Sequence, residues 1–188
     1  MSTNENDPFS ILKDGDRGFE RLTTQEEGDE TEEVEETIEF ELNGEDVTFD
    51  GDPEKPLLYV LRNDAELNGP KFGCGLAQCG SCDVIVDGET AISCVVTVDD
   101  VEGSEVTTTR GLGTRDDPHP VQEAFIDTQA AQCGYCIHGM VMEAVVLLED
   151  NPDPSDDEIR DALADNLCRC GTHPEIMAAV RQAAEEMN

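Results

Sequence analysis

Eight cysteines are the residues of this sequence with the clearest chemistry, and they form two sets of four. The first set begins in the stretch "KFGCGLAQCGSC", where the spacing is C-x4-C-x2-C, and a fourth cysteine follows at a distance. This is the spacing with which plant-type ferredoxins hold a [2Fe–2S] cluster. The sequence therefore predicts a [2Fe–2S] site made by Cys74, Cys79, Cys82 and Cys94.

Three glycines accompany these cysteines: Gly73, Gly75 and Gly80. Glycine adopts positive φ at little cost and has no Cβ, so it suits a loop that turns tightly around a cluster and approaches its sulfurs. Backbone N–H groups aimed at the sulfurs then help to set the reduction potential. The alternative is zinc, which usually binds between two short cysteine knuckles and does not need so many glycines. Iron–sulfur is therefore the better interpretation of this set.

The second set consists of Cys133 and Cys136 in "QCGYC" and of Cys168 and Cys170 in "CRC". Taken alone, this spacing fits a zinc site between helix ends almost as well as a [2Fe–2S] cluster. Each pair lies between predicted helices, so a bound metal would hold those helices together.

The three histidines are less clear candidates than the cysteines. His138 and His173 each lie close to a cysteine pair, and Rieske centres use two histidine ligands. Because four cysteines are already available for each site, we expect these histidines at an interface or a helix end. His119, in "HPVQ", is expected at the start of a helix.

The charge of the chain limits its partners. With 45 acidic and 11 basic residues, the net charge of −34 repels nucleic acid and anionic membranes. The sequence has no long apolar run and no recognisable secretory signal, so we expect a cytoplasmic protein without a membrane span. There, eight cysteines favour metal or redox chemistry over disulfides. An acid excess with only three lysines also predicts a halophilic archaeal origin.

Order is predicted to begin after an acidic disordered tail, residues 1–36, whose apolar content is too low for a core. A hairpin around Asn43-Gly44, a short helix, a second hairpin around Asp87-Gly88 and a final strand follow. Cys94 is expected on the return strand of the second hairpin. Residues 37–110 are therefore predicted to form a small α+β domain.

A linker over residues 111–117, rich in glycine, proline and aspartate, precedes a change of pattern. Residues 118–188 show four amphipathic helical segments. One opens with Pro120 at its first position, and another opens with a capping box formed by Ser155 and Glu158. The sequence thus predicts a helical bundle that contains the second cysteine set.

With both sets placed, the sequence resembles the small iron–sulfur subunit of the molybdenum hydroxylases, the group of xanthine dehydrogenase, aldehyde oxidoreductase and carbon monoxide dehydrogenase. The motifs that carry the resemblance are "GCGLAQCGSCDVIVDG", "SC", "HPVQEAF", "QCGYC" and "NPDPSDDEIRDALADNLCRCGTH". The resemblance implies a ferredoxin-like β-grasp domain followed by a four-helix-bundle domain, each with one [2Fe–2S] cluster.

The resemblance also implies a partner, a separate large subunit that holds a molybdopterin dinucleotide. It places Gln132 and Cys170 against the pterin and puts the cluster of the bundle nearer the molybdenum. The ending "CRCGTH" resembles the branch that oxidises isoquinoline and nicotinate, in which a cytochrome-type acceptor can replace a flavin subunit. Ile137-His138 stands where many members have Thr-Pro.

The predicted function is therefore electron transfer. The chain would relay single electrons from the molybdenum centre through two [2Fe–2S] clusters to a flavin or cytochrome-type acceptor, with no catalytic residue of its own. Two alternatives remain at this point, a free-standing two-cluster electron carrier and a zinc-stabilised interaction module.

Overall fold

The computed structural model describes residues 36–188, so the predicted tail lies outside the described residues apart from Glu36. Five strands form one mixed sheet: β1 (Glu36–Leu42), β2 (Glu45–Gly51), β3 (Asp83–Val86), β4 (Glu89–Ile92) and β5 (Glu105–Thr107). The strand order is β2-β1-β5-β3-β4, with β5 parallel to β1 and antiparallel to β3. Together with the helices described below, this sheet confirms the predicted α+β class.

Both predicted hairpins are confirmed. Asn43 and Gly44 turn between β1 and β2 with φ of 54° and 83°, and Asp87 and Gly88 turn between β3 and β4 with φ of 50° and 87°. The left-handed values explain the residue choice, because asparagine, aspartate and glycine tolerate positive φ better than other residues.

The expectation that Cys94 lies on a strand is wrong. Strand β4 ends at Ile92, and Cys94 lies in the turn that follows. The strand ends early because Ser93 is fully buried and its hydroxyl donates to the Cys82 carbonyl at 2.6 Å. The Ser93 carbonyl in turn accepts the N–H of Leu58 at 2.8 Å, so the chain leaves the sheet here.

The short helix predicted between the hairpins is present as α1 (Leu57–Tyr59), which continues into a π-helical turn over Val60–Asp64. Its apolar side chains pack against the buried face of the sheet. That core contains Ile38, Phe40, Leu42, Phe49, Leu57, Val60, Leu61, Leu67, Val84, Val98, Val101 and Val106. The position of α1 matters for the first cysteine set, since the cysteine loop follows the π-helical turn that extends it.

The rest of the chain is helical, with α2 (Thr109–Leu112), α3 (Pro120–Asp127), α4 (Ile137–Asp150), α5 (Asp156–Ala162) and α6 (His173–Met187). The last four are the helices that the periodicity predicts. Their second core is built around α4, whose Met140, Ala144 and Val145 are almost completely buried. The short α2 overlaps the beginning of the predicted linker.

Local capping explains where the helices begin. Ser155 and Glu158 form the predicted capping box at α5, with the Ser155 N–H donating to Glu158 Oε2 at 2.7 Å. His119 caps α3, because its Nδ1 accepts the Val121 N–H at 3.2 Å. His173 is exposed and is the first residue of α6. None of the helices within residues 36–188 is both long and apolar enough to cross a bilayer.

Candidate metal centres

The first cysteine set lies in the loop that connects the π-helical turn to β3 and in the turn after β4. Cys74 is exposed, Cys79 and Cys94 are partly buried, and Cys82 is buried. Cys79 acts on the pKa of the Cys74 thiol and Cys94 acts on that of the Cys82 thiol, so the two members of each pair are neighbours. The fold thus assembles the four predicted residues as two pairs.

The loop backbone points donors at the sulfurs. The N–H groups of Leu76 and Gln78 donate to Cys74 Sγ at 3.3 and 3.2 Å, and the Cys74 N–H donates to Cys79 Sγ at 3.3 Å. The bonds from Leu76 and Gln78 lower the pKa of the Cys74 thiol from its ordinary value. Because the thiolate is the form that binds a metal, the geometry of this loop suits metal ligation.

Two of the three predicted glycines adopt the expected conformation. Gly75 and Gly80 have φ of 65° and 66°, whereas Gly73 has no positive φ. Gly73 is needed for space, since a Cβ at this position would lie 2.5 Å from Cys79 Sγ. Ala77 also takes a left-handed conformation, with φ of 55°, which its residue type did not indicate.

The second set lies where two inter-helix connections meet. Cys133 and Cys136 precede α4, and Cys168 and Cys170 precede α6. Cys170 acts on the pKa of the Cys133 thiol and Cys168 acts on that of the Cys136 thiol, so each cysteine before α4 has a neighbour before α6. Each pair therefore joins one connection to the other, which the linear spacing did not reveal.

One buried cysteine in each set has a raised pKa. Burial is the main cause that raises the pKa of Cys82 to about 12 and that of Cys136 to about 12. Cys168 is the opposite case: burial alone would raise its pKa, but hydrogen bonds from Thr172 and the neighbouring backbone bring it down to about 7. Deprotonating the two buried thiols requires positive charge nearby, which the iron ions of a cluster supply.

The pairwise arrangement distinguishes a binuclear cluster from a zinc ion. Zinc needs four ligands around one centre, whereas each iron of a [2Fe–2S] cluster takes two cysteines. Two pairs of thiols in each set therefore fit [2Fe–2S] clusters better than zinc.

His138 lies where helix α4 contacts helix α2. It is buried in the first turn of α4, and its Nδ1 lies 3.0 Å from Thr109 Oγ1. Desolvation by burial lowers the pKa of His138 to about 4, so the ring is neutral. The sequence favoured such a role over metal ligation, and the contact with Thr109 agrees with it.

Two hydrogen bonds link the loops of the two cysteine sets. The Leu167 N–H donates to the Cys79 carbonyl at 3.1 Å, and the Tyr135 hydroxyl donates to the Phe72 carbonyl at 2.5 Å. Leu167 directly precedes Cys168 in the chain. A single main-chain hydrogen bond thus connects Cys79, in the first set, to the residue that precedes Cys168, in the second set.

A buried side-chain contact reinforces this junction. Asn166 Nδ2 donates to Asp83 Oδ2 at 2.8 Å, and both residues are 4% exposed. The bond passes directly over Gly80, where a Cβ would lie 2.0 Å from Asn166 Nδ2. On the other side, a Cβ at Gly139 of α4 would lie 1.7 Å from the Gly80 carbonyl oxygen. Sequence reasoning missed Asp83, Asn166 and Gly139, because nothing in the linear pattern indicates contacts between residues so far apart.

Two family models account for this arrangement. Residues 40–111 match the "2Fe-2S iron-sulfur cluster binding domain" and residues 108–181 match the "[2Fe-2S] binding domain". The chain is therefore a protein with two [2Fe–2S] clusters, one for each of these domains.

Similar proteins define the family further. One of the subunits of nicotinate dehydrogenase from Pseudomonas putida (strain KT2440) is 57% identical over 149 residues, which are 79% of this chain and 95% of that one. The alpha subunit of isoquinoline 1-oxidoreductase from Brevundimonas diminuta is 47% identical over 150 residues, 79% of this chain and 98% of that one. The chain belongs to the family of small iron–sulfur subunits of molybdenum hydroxylases, as the motifs suggested, and its enzyme includes a large molybdopterin-binding subunit.

Solved structures of this family share the fold. A chain of quinoline 2-oxidoreductase from Pseudomonas putida 86 matches with a TM-score of 0.77 and 35% identity, over 80% of this chain and 94% of that one. The aldehyde oxidoreductase of Desulfovibrio desulfuricans ATCC 27774 matches with a TM-score of 0.78 and 38% identity, over 81% of this chain but only 17% of that one. The β-grasp and helical-domain architecture is thereby confirmed.

Proposed function

We propose that the eight cysteines bind the two [2Fe–2S] clusters in four pairs, one pair for each iron. The pairs are Cys74 with Cys79, Cys82 with Cys94, Cys133 with Cys170, and Cys136 with Cys168. In each pair one cysteine acts on the pKa of the other, and this proximity supports the assignment. When bound, each cluster carries one electron at a time, so that the two electrons of a substrate oxidation can leave the molybdenum centre singly.

The protein's contribution to this relay is to hold and tune the thiolates. Backbone donors on Cys74 and the hydroxyl of Thr172 beside Cys168 stabilise negative charge on sulfur. Hydrogen bonds of this kind shift the reduction potential of a cluster in the positive direction, because the reduced cluster carries more negative charge. Burial of Cys82 and Cys136 limits the access of water to the same sites.

The observation that best supports a relay is the hydrogen bond from the Leu167 N–H to the Cys79 carbonyl. It joins the main chain beside Cys168 to a proposed ligand of the first cluster without an intervening side chain. We infer that electrons pass from the second cluster to the first along this contact. A free-standing carrier needs only the first cluster, so the presence of the helical domain with a second cluster favours the role of a subunit.

The surface suggests where the partners bind. Among residues 36–188, the exposed large apolar side chains are Tyr59, Phe72, Leu76, Val95, Ile126, Tyr135 and Leu167. Four of these lie in or beside the loops of the first cysteine set: Tyr59, Phe72, Leu76 and Val95. The rings of Tyr59 and Phe72 are stacked, with their centroids 6.2 Å apart. Exposed apolar patches on an acidic surface mark interaction sites. We propose that a flavin subunit or a cytochrome-type acceptor binds here.

The other exposed apolar residues lie on the helical side. Tyr135 and Leu167 flank the second cysteine set, and Ile126 borders a groove of about 450 Å³ between α3 and α4. Gln132 is exposed and Cys170 is partly exposed. We propose that this side binds the molybdopterin subunit, with Gln132 and Cys170 against the pterin. By similarity to the nicotinate and isoquinoline enzymes, the substrate is an N-heterocycle. Cytoplasmic location and halophilic origin stay predictions from composition.

The test is a reductive titration of the native complex, followed by electron paramagnetic resonance (EPR) and by analysis of iron, sulfide and zinc. We expect two signals, each from one unpaired electron, and about four irons for each copy of this chain. Elution of the native protein near 20.5 kDa would instead support a free-standing carrier. A colourless protein that contains zinc would support the interaction module and contradict the proposal.

A further inference from the structure

The junction between the two cysteine loops contains one polar contact that is shielded from water. Asp83 begins β3 directly after Cys82, and Asn166 lies two residues before Cys168. Their side chains meet at 2.8 Å, and each residue is 4% exposed. Neither side chain is a candidate ligand, so the proposed ligand sets give these two residues no function.

The contact has no substitute among the described residues. Asp83 Oδ1 is buried without a hydrogen-bond partner there, so the Asn166 amide is the side-chain donor on which the buried carboxylate depends. A buried hydrogen bond to a charged group stabilises a structure more than an exposed one does, because water cannot replace the lost partner. Loss of this bond therefore weakens the junction more than loss of the exposed bond from Tyr135 to Phe72.

The bond also lies beside the main-chain contact between the two loops. Asn166 immediately precedes Leu167, whose N–H donates to the Cys79 carbonyl. Gly80, the residue after Cys79, lies directly beneath the Asn166 amide. Fixing the Asn166 side chain on Asp83 thus fixes the next peptide group against the loop of the first set.

We propose that Asp83 and Asn166 are positioning residues for electron transfer, and that their hydrogen bond sets the spacing and the coupling of the two clusters. The bond acts on the main chain, where it keeps the Leu167 N–H on the Cys79 carbonyl. This inference rests on the proposed ligand sets. It adds two residues outside those sets, which determine how strongly the two clusters are coupled.

Three variants of the whole complex test the role. Asn166→Asp keeps the size of the side chain but replaces the donor with a second carboxylate. Asp83→Asn keeps the hydrogen bond, because the new amide oxygen still accepts from Asn166, but it removes the charge and places an NH2 group where Asp83 Oδ1 has no partner among the described residues. The double variant Asp83→Asn with Asn166→Asp exchanges donor and acceptor, so that residue 83 donates and residue 166 accepts.

Two measurements are made on each variant. The first is the magnetic splitting between the two fully reduced clusters in EPR, which depends on their distance and orientation. The second is hydrogen exchange of the peptide that contains Leu167, which reports how often its N–H leaves the Cys79 carbonyl. We expect Asn166→Asp to weaken the splitting and to accelerate exchange about tenfold or more. The double variant should stay close to wild type, and Asp83→Asn should lie between wild type and Asn166→Asp, because it keeps the hydrogen bond but buries an unpartnered NH2 group.

Each result supports or overturns the proposal. If Asn166→Asp keeps wild-type splitting and exchange, the two residues do not position the clusters. If Asn166→Asp fails to assemble, recovery of assembly and splitting in the double variant supports the proposal, and failure of the double variant overturns it. The proposed ligand sets are tested separately, because their failure would already appear in the wild-type complex as fewer than two EPR signals.

Discussion

The two cysteine sets reach the same arrangement in different ways. Three cysteines of the first set lie within one loop, whose glycines and backbone N–H groups are adapted to the sulfurs. The second set takes two cysteines from each of two connections between helices, and its thiol pairs bridge those connections. The first site is therefore local in the chain, whereas the second site depends on the tertiary structure around it.

This difference has an energetic consequence. The sheet has its own apolar core, formed by β1, β2, β3, β5 and α1, so the first cysteine loop is attached to a structure that stands without it. The helical core is built from α3, α4, α5 and α6, and a metal bound at the second set connects the start of α4 to the start of α6. Because the binding energy of a metal contributes to folding, loss of the second cluster should destabilise its domain more than loss of the first.

The largest effect is expected when one proposed ligand of either cluster is removed, in two separate variants. Cys82→Ser should abolish the EPR signal of the first cluster and keep the second, and Cys136→Ser should do the reverse. Both cysteines are buried, so the pair is matched in burial. We also expect Cys136→Ser to lower the melting temperature by roughly 10 °C more than Cys82→Ser does, measured by circular dichroism. Equal losses would show that the two sites support folding equally.

The second prediction tests how closely helix α4 packs against the first cysteine loop. In Gly139→Ala the new methyl group would lie 1.7 Å from the Gly80 carbonyl oxygen, which is main chain and cannot rotate away. We expect α4 to separate from the first cysteine loop, at a cost of about 3 kcal/mol in the free energy of unfolding. Denaturant unfolding measures this cost.

The control for Gly139→Ala is Gly103→Ala. Gly103 has φ of 72° with no atom near its missing Cβ, so alanine there causes only local backbone strain of about 1 kcal/mol. If both substitutions cost the same, the contact between Gly139 and Gly80 does not hold the regions together.

The same contrast explains how much could be predicted from the sequence. Both hairpin turns, the cap formed by Ser155 and Glu158 and the four main helices are local signals, and the structure confirms them. The cysteine spacing of the first set is equally local, and it indicated the kind of domain whose family model matches residues 40–111. The position of Cys94 beyond β4 was not predicted, because β4 ends where the Ser93 hydroxyl donates to the Cys82 carbonyl, and the alternation of residues does not mark that bond.

The junction could not be predicted for a related reason. Asn166 looks like an ordinary residue near a helix end, and Asp83 looks like a polar residue at the start of a strand. Their importance arises only when α4 packs its Gly139 on Gly80 and brings the two loops together. Residues that connect two local sites are specified by the packing of both regions, so no single window of sequence contains the signal.

The smallest expected effect concerns the exposed side of that junction. Tyr135 is 48% exposed, and its hydroxyl donates to the Phe72 carbonyl at 2.5 Å. Tyr135→Phe removes this hydroxyl and keeps the ring. Water can bind the freed carbonyl, so we expect a cost below about 1 kcal/mol and exchange of the Leu167 peptide that rises less than about threefold. An effect as large as that of Asn166→Asp would show that the exposed contact, and not the buried one, holds the two cysteine loops together.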